Sequence, residues 1–237
     1  MHEKSDFYRR NLPHWQPDGA EYFITIRLAG SLPKVVINEI KQLRKKLHEQ
    51  SRNRENNSNP SKGININKPR KNDFDDIDRG KFIHQKIFSK YEQLLDRPES
   101  GPMWLSQQEI AQIVKDAIHY RNQSVYDLYA YCIMSNHVHL VFKIFDNVNS
   151  DKQNKTKQYP VTDIMQSLKW YTARQCNKLL KRSGNAFWFP ESYDHVIRNE
   201  EERTNIIKYT LENPVKARLV NDWDDWPYSW CKFTPTF

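Results

Sequence analysis

Tyr129-Ala-Tyr-Cys-Ile-Met-Ser-Asn-His-Val-His-Leu-Val-Phe-Lys143 holds two β-rich runs joined by a Ser135-Asn136 turn signal. The second run opens with His137 and His139. Side chains alternate between the two faces of a strand, so residues two apart share a face. The two imidazoles therefore stand side by side on rigid backbone, which makes half of a divalent-metal site. Packing alone gives no reason for two imidazoles on one face; a chance His-x-His is the competing reading.

The elements around this hairpin set the fold class. The strands are expected over Val125–Met134 and His137–Phe145, and an earlier strand over Tyr22–Leu28. Ser31-Leu-Pro33 opens a helix whose apolar face is Val36, Ile40, Leu43 and Leu47. Helical pattern returns from Phe82 to Leu95. Ser106-Gln-Gln-Glu109 reads as a capping box before a helix that runs to about His119. Pro160 begins another helix, to about Lys181, stopped near Gly184. Tyr193–Arg198 is a short strand. Asn199 caps a last helix that Pro214 should end at Asn213. The order β, α, α, β, β, α, β, α implies an antiparallel sheet covered by helices, an α+β architecture.

Composition narrows the partners. The 237 residues carry a net charge of +8, and residues 41–71 hold ten Lys or Arg against Glu49 and Glu55, which equals the whole excess. The stretch from about 50 to 80 is rich in Asn, Ser, Lys and Arg and reads as an exposed, mobile insertion. Such a charge distribution points to an acidic partner, usually nucleic acid. Three cysteines, far apart and odd in number, make no disulfide framework. No run approaches the roughly 18 apolar residues of a membrane span. The amino-terminal residues do not read as a signal peptide, and the expected location is the cytoplasm.

Within the helix after Pro160, Ile164, Leu168, Tyr171, Gln175 and Leu179 recur at spacings of four, three, four and four. Tyr and Gln interrupt an otherwise apolar stripe. A core Tyr with a bonded hydroxyl is the plain explanation for the first, but a buried amide needs several partners. One turn apart, a phenol and an amide oxygen can face one point. If that point holds a cation between His137 and His139, the result is a nucleophile beside a Lewis acid.

The joint pattern resembles the single-tyrosine HUH transposases, with a His-hydrophobic-His triplet on a strand and Tyr-x-x-x-Gln on a later helix. Further stretches are similar to the REP-associated tyrosine transposases. They are Tyr8-Arg-Arg-Asn-Leu-Pro-His-Trp15, Tyr126-Asp-Leu-Tyr-Ala-Tyr-Cys-Ile-Met134, Ser167-Leu-Lys-Trp-Tyr-Thr-Ala-Arg174, Tyr193-Asp-His-Val-Ile-Arg198 and Tyr209-Thr-Leu-Glu-Asn-Pro-Val-Lys-Ala-Arg-Leu-Val220. The similarity covers most of residues 7–50 and 82–222; the basic insertion departs from it. The resemblance implies a ferredoxin-like fold forming one domain over 1–222, followed by a tail at 223–237. By the same resemblance, His137 and His139 would bind Mg²⁺ or Mn²⁺, with Gln175 as third ligand and Asn177 as its rival. Tyr171 would attack a phosphate in single-stranded DNA, leaving a 5′-phosphotyrosine and a free 3′-OH. The partner implied is DNA with hairpins from repetitive extragenic palindromes, bound by a monomer, with a dimer as the alternative.

Candidate phosphate contacts are Lys169, Arg174, Lys178, Arg198, Arg203 and Lys208, with Trp15, Trp170 and Trp188 as candidate stacking residues. The competing reading of the cations is a solvated helix face. His195 is either a further site residue or a core histidine bonded to Asp194 or to backbone. Two other functions compete with a cleaving and joining enzyme: a nucleic-acid-binding module of the same fold without catalysis, and an unrelated metal protein.

Overall fold

The computed structural model describes residues 19–33, 37, 38, 42, 45, 49, 95, 101–145 and 160–233. The basic insertion at 50–80, the helical pattern of 82–94, the apolar positions 36, 40, 43 and 47, and the Tyr8–Trp15 stretch lie outside the described residues.

Five strands form one sheet in the order β4-β1-β3-β2-β5. They are β1 (Glu21–Arg27), β2 (Tyr126–Ile133), β3 (His137–Ile144), β4 (Tyr193–Ile197) and β5 (Ser229–Cys231). The four strand–strand pairings are antiparallel. The order 4-1-3-2 of the first four strands is that of a split βαββαβ, ferredoxin-like unit, so the expected α+β antiparallel class is borne out. Three helices have described bounds: α1 (Gln108–Arg121), α2 (Pro160–Leu179) and α3 (Glu200–Lys216). No helix among the described residues is long and apolar enough to cross a membrane.

Strand alternation divides the molecule into two unlike faces. Ile24 and Ile26 of β1, Val138, Leu140 and Phe142 of β3, and Leu128 and Ile133 of β2 point to one side. There they pack with Ile110, Val114 and Ile118 of α1 and with Val161, Ile164, Met165 and Leu168 of α2. The other face is smaller: Phe23, Tyr129, Ala130, Val141 and Ile197 meet Ile206, Ile207 and Tyr209 of α3. A register shift between Leu128 and Ala130 lets the neighbours Tyr129 and Ala130 both join this side.

Four details differ from the sequence reading. Ser106 does not cap α1; its hydroxyl donates to Met103 O at 2.7 Å, inside the 3₁₀ turn Trp104–Ser106, and α1 begins behind Gln107. A local turn has captured the side chain that a capping box needs. Helix α2 stops at Leu179, with Lys181 in the left-handed region at φ 54°. Helix α3 does not stop at Asn213 but continues to Lys216 with Pro214 inside it. Proline removes one donor, yet Ala217 N still reaches Asn213 O at 2.9 Å, so the last turn closes around it. Finally, the stretch set apart as a tail supplies β5, which pairs with β2, and Trp226 Nε1 donates to Ile133 O at 3.0 Å. The Asn199 cap forms as expected: its side chain accepts from Glu202 N at 2.8 Å.

Leu140 is fully buried at the centre of the larger core. Leu140→Ala is expected to destabilise the protein by about 2–5 kcal/mol, read as a lower urea midpoint at unchanged slope. A loss below about 1 kcal/mol would contradict the close packing of β3 against α1 and α2.

Candidate active site

Strand β3 is central, flanked by β1 and β2, so its side chains are sealed from both sides. His137 and His139 are 1 % and 0 % exposed on the α3 side of the sheet. Burial this deep requires partners for the ring nitrogens. His137 Nδ1 is 2.6 Å from Asn136 Oδ1 in the hairpin turn, and His139 Nδ1 is 2.9 Å from Thr25 Oγ1, its cross-strand neighbour on β1. The two Nε2 atoms approach each other to 3.1 Å.

These distances constrain the protons. An amide oxygen only accepts, so His137 Nδ1–H donates to Asn136 and His137 Nε2 carries a lone pair. Without a cation, one chain satisfies every group: Thr25 donates to His139 Nδ1, and His139 Nε2–H donates to His137 Nε2. Reversing the Thr25 hydroxyl places the His139 proton on Nδ1 and frees both Nε2 lone pairs. The pair thus changes from a hydrogen bond to two converging ligands without net protonation. A hydrogen bond at Nδ1 of this kind fixes the tautomer and ring orientation of a histidine that holds a metal through Nε2.

The walls of this pair come from β1 and α3. Phe23 stacks on His139 with ring centroids 5.5 Å apart, and Tyr209 of α3 meets the same imidazole edge-on at 5.7 Å. Arg27, the cross-strand neighbour of His137, is 1 % exposed with its guanidinium 3.5 Å from the centroid of Phe189. One turn beyond Tyr209, Asn213 is fully buried; its Nδ2 donates to Tyr209 O, while its Oδ1 has no hydrogen-bond partner. Lys216 Nζ lies 4.9 Å from the Tyr209 ring centroid and pairs with Glu212 at 3.1 Å.

Tyr171 and Gln175 are not brought to the histidines. Helix α2 packs on the opposite face of the sheet, and its buried stripe is Val161, Ile164, Met165, Leu168, Thr172 and Cys176. That stripe is centred near Leu168 and Thr172, so Tyr171 falls at its margin, 43 % exposed, and Gln175 is half-buried. The reading that Tyr and Gln interrupt the buried face is therefore corrected: Thr172 occupies the position, returning its hydroxyl to Leu168 O and accepting from Trp188 Nε1. Asn177 is buried, with Nδ2 bonded to Asn185 O at the end of α2.

Sequence reasoning missed Tyr209, Asn213 and Lys216. The signal was present, since Tyr209-x-x-x-Asn213 repeats the spacing of Tyr171-x-x-x-Gln175. Spacing cannot choose between the two; the layer each helix occupies does. Of the other phenols on this face, Tyr129 donates to Glu21, and burial followed by the Glu21 charge pushes its pKa up to about 12.

The candidate phosphate contacts scatter. Arg203 is held between Glu21 and Glu200, both at 3.0 Å, so its charge is already matched. Lys208 lies 3.7 Å from Glu212. Arg198 is exposed where β4 ends. Lys169 donates to Pro190 O, Arg174 lies over the Trp170 ring at 5.6 Å, and Lys178 is exposed. His195 bonds neither Asp194 nor backbone in the way expected; its Nε2 is 2.8 Å from Glu202 Oε1, which ties β4 to the first turn of α3.

The ferredoxin-like sheet thus carries two imidazoles on its central strand, with the tyrosine-bearing helix α3 over them. Residues 103–213 match the family model described as "Transposase IS200 like", a segment that includes both histidines, Tyr171, Tyr209 and Asn213. A protein of Haemophilus influenzae named as a REP-associated tyrosine transposase is 30 % identical over 105 residues, covering 44 % of this chain and 58 % of that protein. The chain thus spans less than two thirds of the length of that relative. A solved structure of a REP-associated tyrosine transposase bound to a REP hairpin aligns with 95 % of this chain and 82 % of that one, at 15 % identity and a TM-score of 0.44. The likeness to tyrosine transposases drawn from the sequence is borne out by the family model and the curated relative.

Thr25→Val keeps the shape of the side chain and removes the hydroxyl that orients His139. Affinity for Mn²⁺, measured by titration calorimetry, is expected to fall about 10–100-fold, and the buried ring nitrogen left without its partner should cost about 1–3 kcal/mol of stability. Unchanged Mn²⁺ binding would contradict the role of Thr25.

Proposed function

We propose that the protein cleaves and rejoins single-stranded DNA at hairpins, with Tyr209 as nucleophile. The observation that carries this reading is the Tyr209 ring against His139 on the sheet face where both histidines converge. The IS200-like match over 103–213 and the curated relative support the reaction class.

The donor set fits a divalent cation. Two imidazole nitrogens and one buried amide oxygen, that of Asn213, are neutral ligands of borderline and hard character, which suits Mn²⁺ better than the oxygen-seeking Mg²⁺. Among the described residues no group of three or more His, Cys, Asp or Glu forms a rival site. When bound, the cation supplies Lewis-acid polarisation of a phosphate oxygen.

The chain's own residues do the rest. Tyr209 presents its hydroxyl oxygen to phosphorus; a P–O bond to tyrosine forms as the P–O3′ bond breaks. The phenolic proton is lost and the departing oxygen gains one, leaving a 5′-phosphotyrosine and a free 3′-OH. An ordinary phenol pKa of about 10 makes that deprotonation costly near neutral pH. Lys216, over the ring, favours the developing phenolate. A second 3′-OH attacking the phosphotyrosine reverses the step and joins strands, with the energy of the broken bond retained throughout. The enzyme acts as a monomer built from one domain, and the basic stretch near 50–80 adds sequence-independent, salt-sensitive affinity.

Incubation with a labelled single-stranded hairpin and Mn²⁺ is expected to give a protein–DNA band that survives denaturation. Tyr209→Phe should abolish that band while sparing hairpin binding, and Tyr171→Phe should retain it. Loss of the band in Tyr171→Phe together with its survival in Tyr209→Phe would return the nucleophile to α2.

A further inference from the structure

The match to the IS200-like family ends at residue 213, and the chain beyond it returns to the sheet at one particular place. After the 3₁₀ turn Trp223–Asp225 it runs along the outer edge of β2 as a strap that contains β5. Ile133, the last residue of β2, lies opposite Val138 of β3 but turns both of its main-chain groups outward. Its N–H donates to Tyr228 O at 2.9 Å, and its carbonyl accepts from Trp226 Nε1 at 3.0 Å. The end of β2 thus owes both partners to the strap, where a bare edge would leave them to water.

Aromatic rings hold the strap down. Trp230 lies parallel to its cross-strand neighbour Tyr131 at 6.2 Å and meets His119 of α1 edge-on at 5.3 Å. Lys115, one turn earlier on α1, donates to Pro227 O at 3.4 Å. At the far end Lys232 N–H donates to Tyr129 O at 2.8 Å, and its ammonium pairs with Asp127 at 2.7 Å. A strand of three residues has few ladder bonds of its own, so these side chains are what keep it in register.

Ile133 is one residue from the closure of the histidine hairpin. Met134 N–H donates to His137 O at 2.9 Å. In the turn that follows, Ser135 O accepts from Leu105 N–H at 3.1 Å and Asn136 O from Leu28 N–H at 2.8 Å. Those bonds hold the turn from its own far side, and Asn136 Oδ1 then orients His137. The strap grips the same turn from β2. We infer that the strap is a positioning element of the histidine pair: Trp226 and Tyr228 pin the end of β2 so that the turn presents Asn136 to His137. This rests on the cation-binding reading above and extends the set of residues that aim the ligands to a segment outside the family match.

The test combines titration of the protein with Mn²⁺ by calorimetry and hydrogen exchange at the Met134 amide followed by NMR, a probe of local opening at the turn. Trp226→Phe keeps a ring in the strap and removes the donor to Ile133. One lost hydrogen bond corresponds to about a 2- to 12-fold change. The Met134 amide should exchange faster by that factor, and Mn²⁺ should bind more weakly by a factor in the same range. Lys232→Met frees the opposite end of the strap and should leave both readings near wild type. Wild-type Mn²⁺ affinity in Trp226→Phe would overturn the inference, whatever its exchange rate. Equal losses in the two variants would also overturn it, because the strap would then stabilise the sheet as a whole. A wild type that binds no Mn²⁺ overturns the cation reading. The Met134 amide then decides the inference by itself: faster exchange in Trp226→Phe alone upholds the clamp on the turn, and unchanged exchange overturns it.

Discussion

His139 Nδ1 lies 2.9 Å from Thr25 Oγ1 on the neighbouring strand, and His137 Nδ1 lies 2.6 Å from Asn136 Oδ1 in the preceding turn. These contacts turn two buried rings into a directed pair. An unpaired buried polar group costs about 1–3 kcal/mol, so the contacts also make the burial tolerable. They require β3 to have β1 as its neighbour in this register and the hairpin turn to end at Asn136. The 4-1-3-2 strand order meets the first requirement. The three-residue connection Met134–Asn136 meets the second.

The sheet then acts as a partition. Val138, Leu140 and Phe142 belong to the core with α1 and α2, while His137, His139 and Val141 look toward α3. A helix on one side cannot contribute to chemistry on the other. The partition is what separates Tyr209 from Tyr171, two residues that the sequence presents as near equivalents. It also gives the two faces different surfaces: acid–base pairs such as Arg203 with Glu21 and His195 with Glu202 brace α3 against the sheet, whereas the outer side of α2 is left basic and aromatic.

Strand alternation and turn chemistry were legible in the residues, and so the hairpin, the shared face of the histidines and the antiparallel class could be read directly. The Asn199 cap was legible for the same reason, since it depends on residues only three apart. What escaped depends on the third dimension. The stripe through Tyr171 and Gln175 is a true helical spacing, but the buried sector is rotated toward Thr172 and Cys176 by what α2 packs against. Pro214 was expected to end α3, and the helix closes a further turn because later amides find acceptors. β5 is three residues long and too short to announce itself; it exists because β2 offers a free edge and Trp226 anchors the approach. The capping box failed because Ser106 had a nearer acceptor.

Peptide mapping of the covalent protein–DNA product tests the assignment of the nucleophile most directly. After nuclease and trypsin treatment, the added nucleotide mass is expected on the peptide Tyr209-Thr-Leu-Glu-Asn-Pro-Val-Lys216. Its appearance on Trp170-Tyr-Thr-Ala-Arg174 instead, with Tyr209 unmodified, would contradict it.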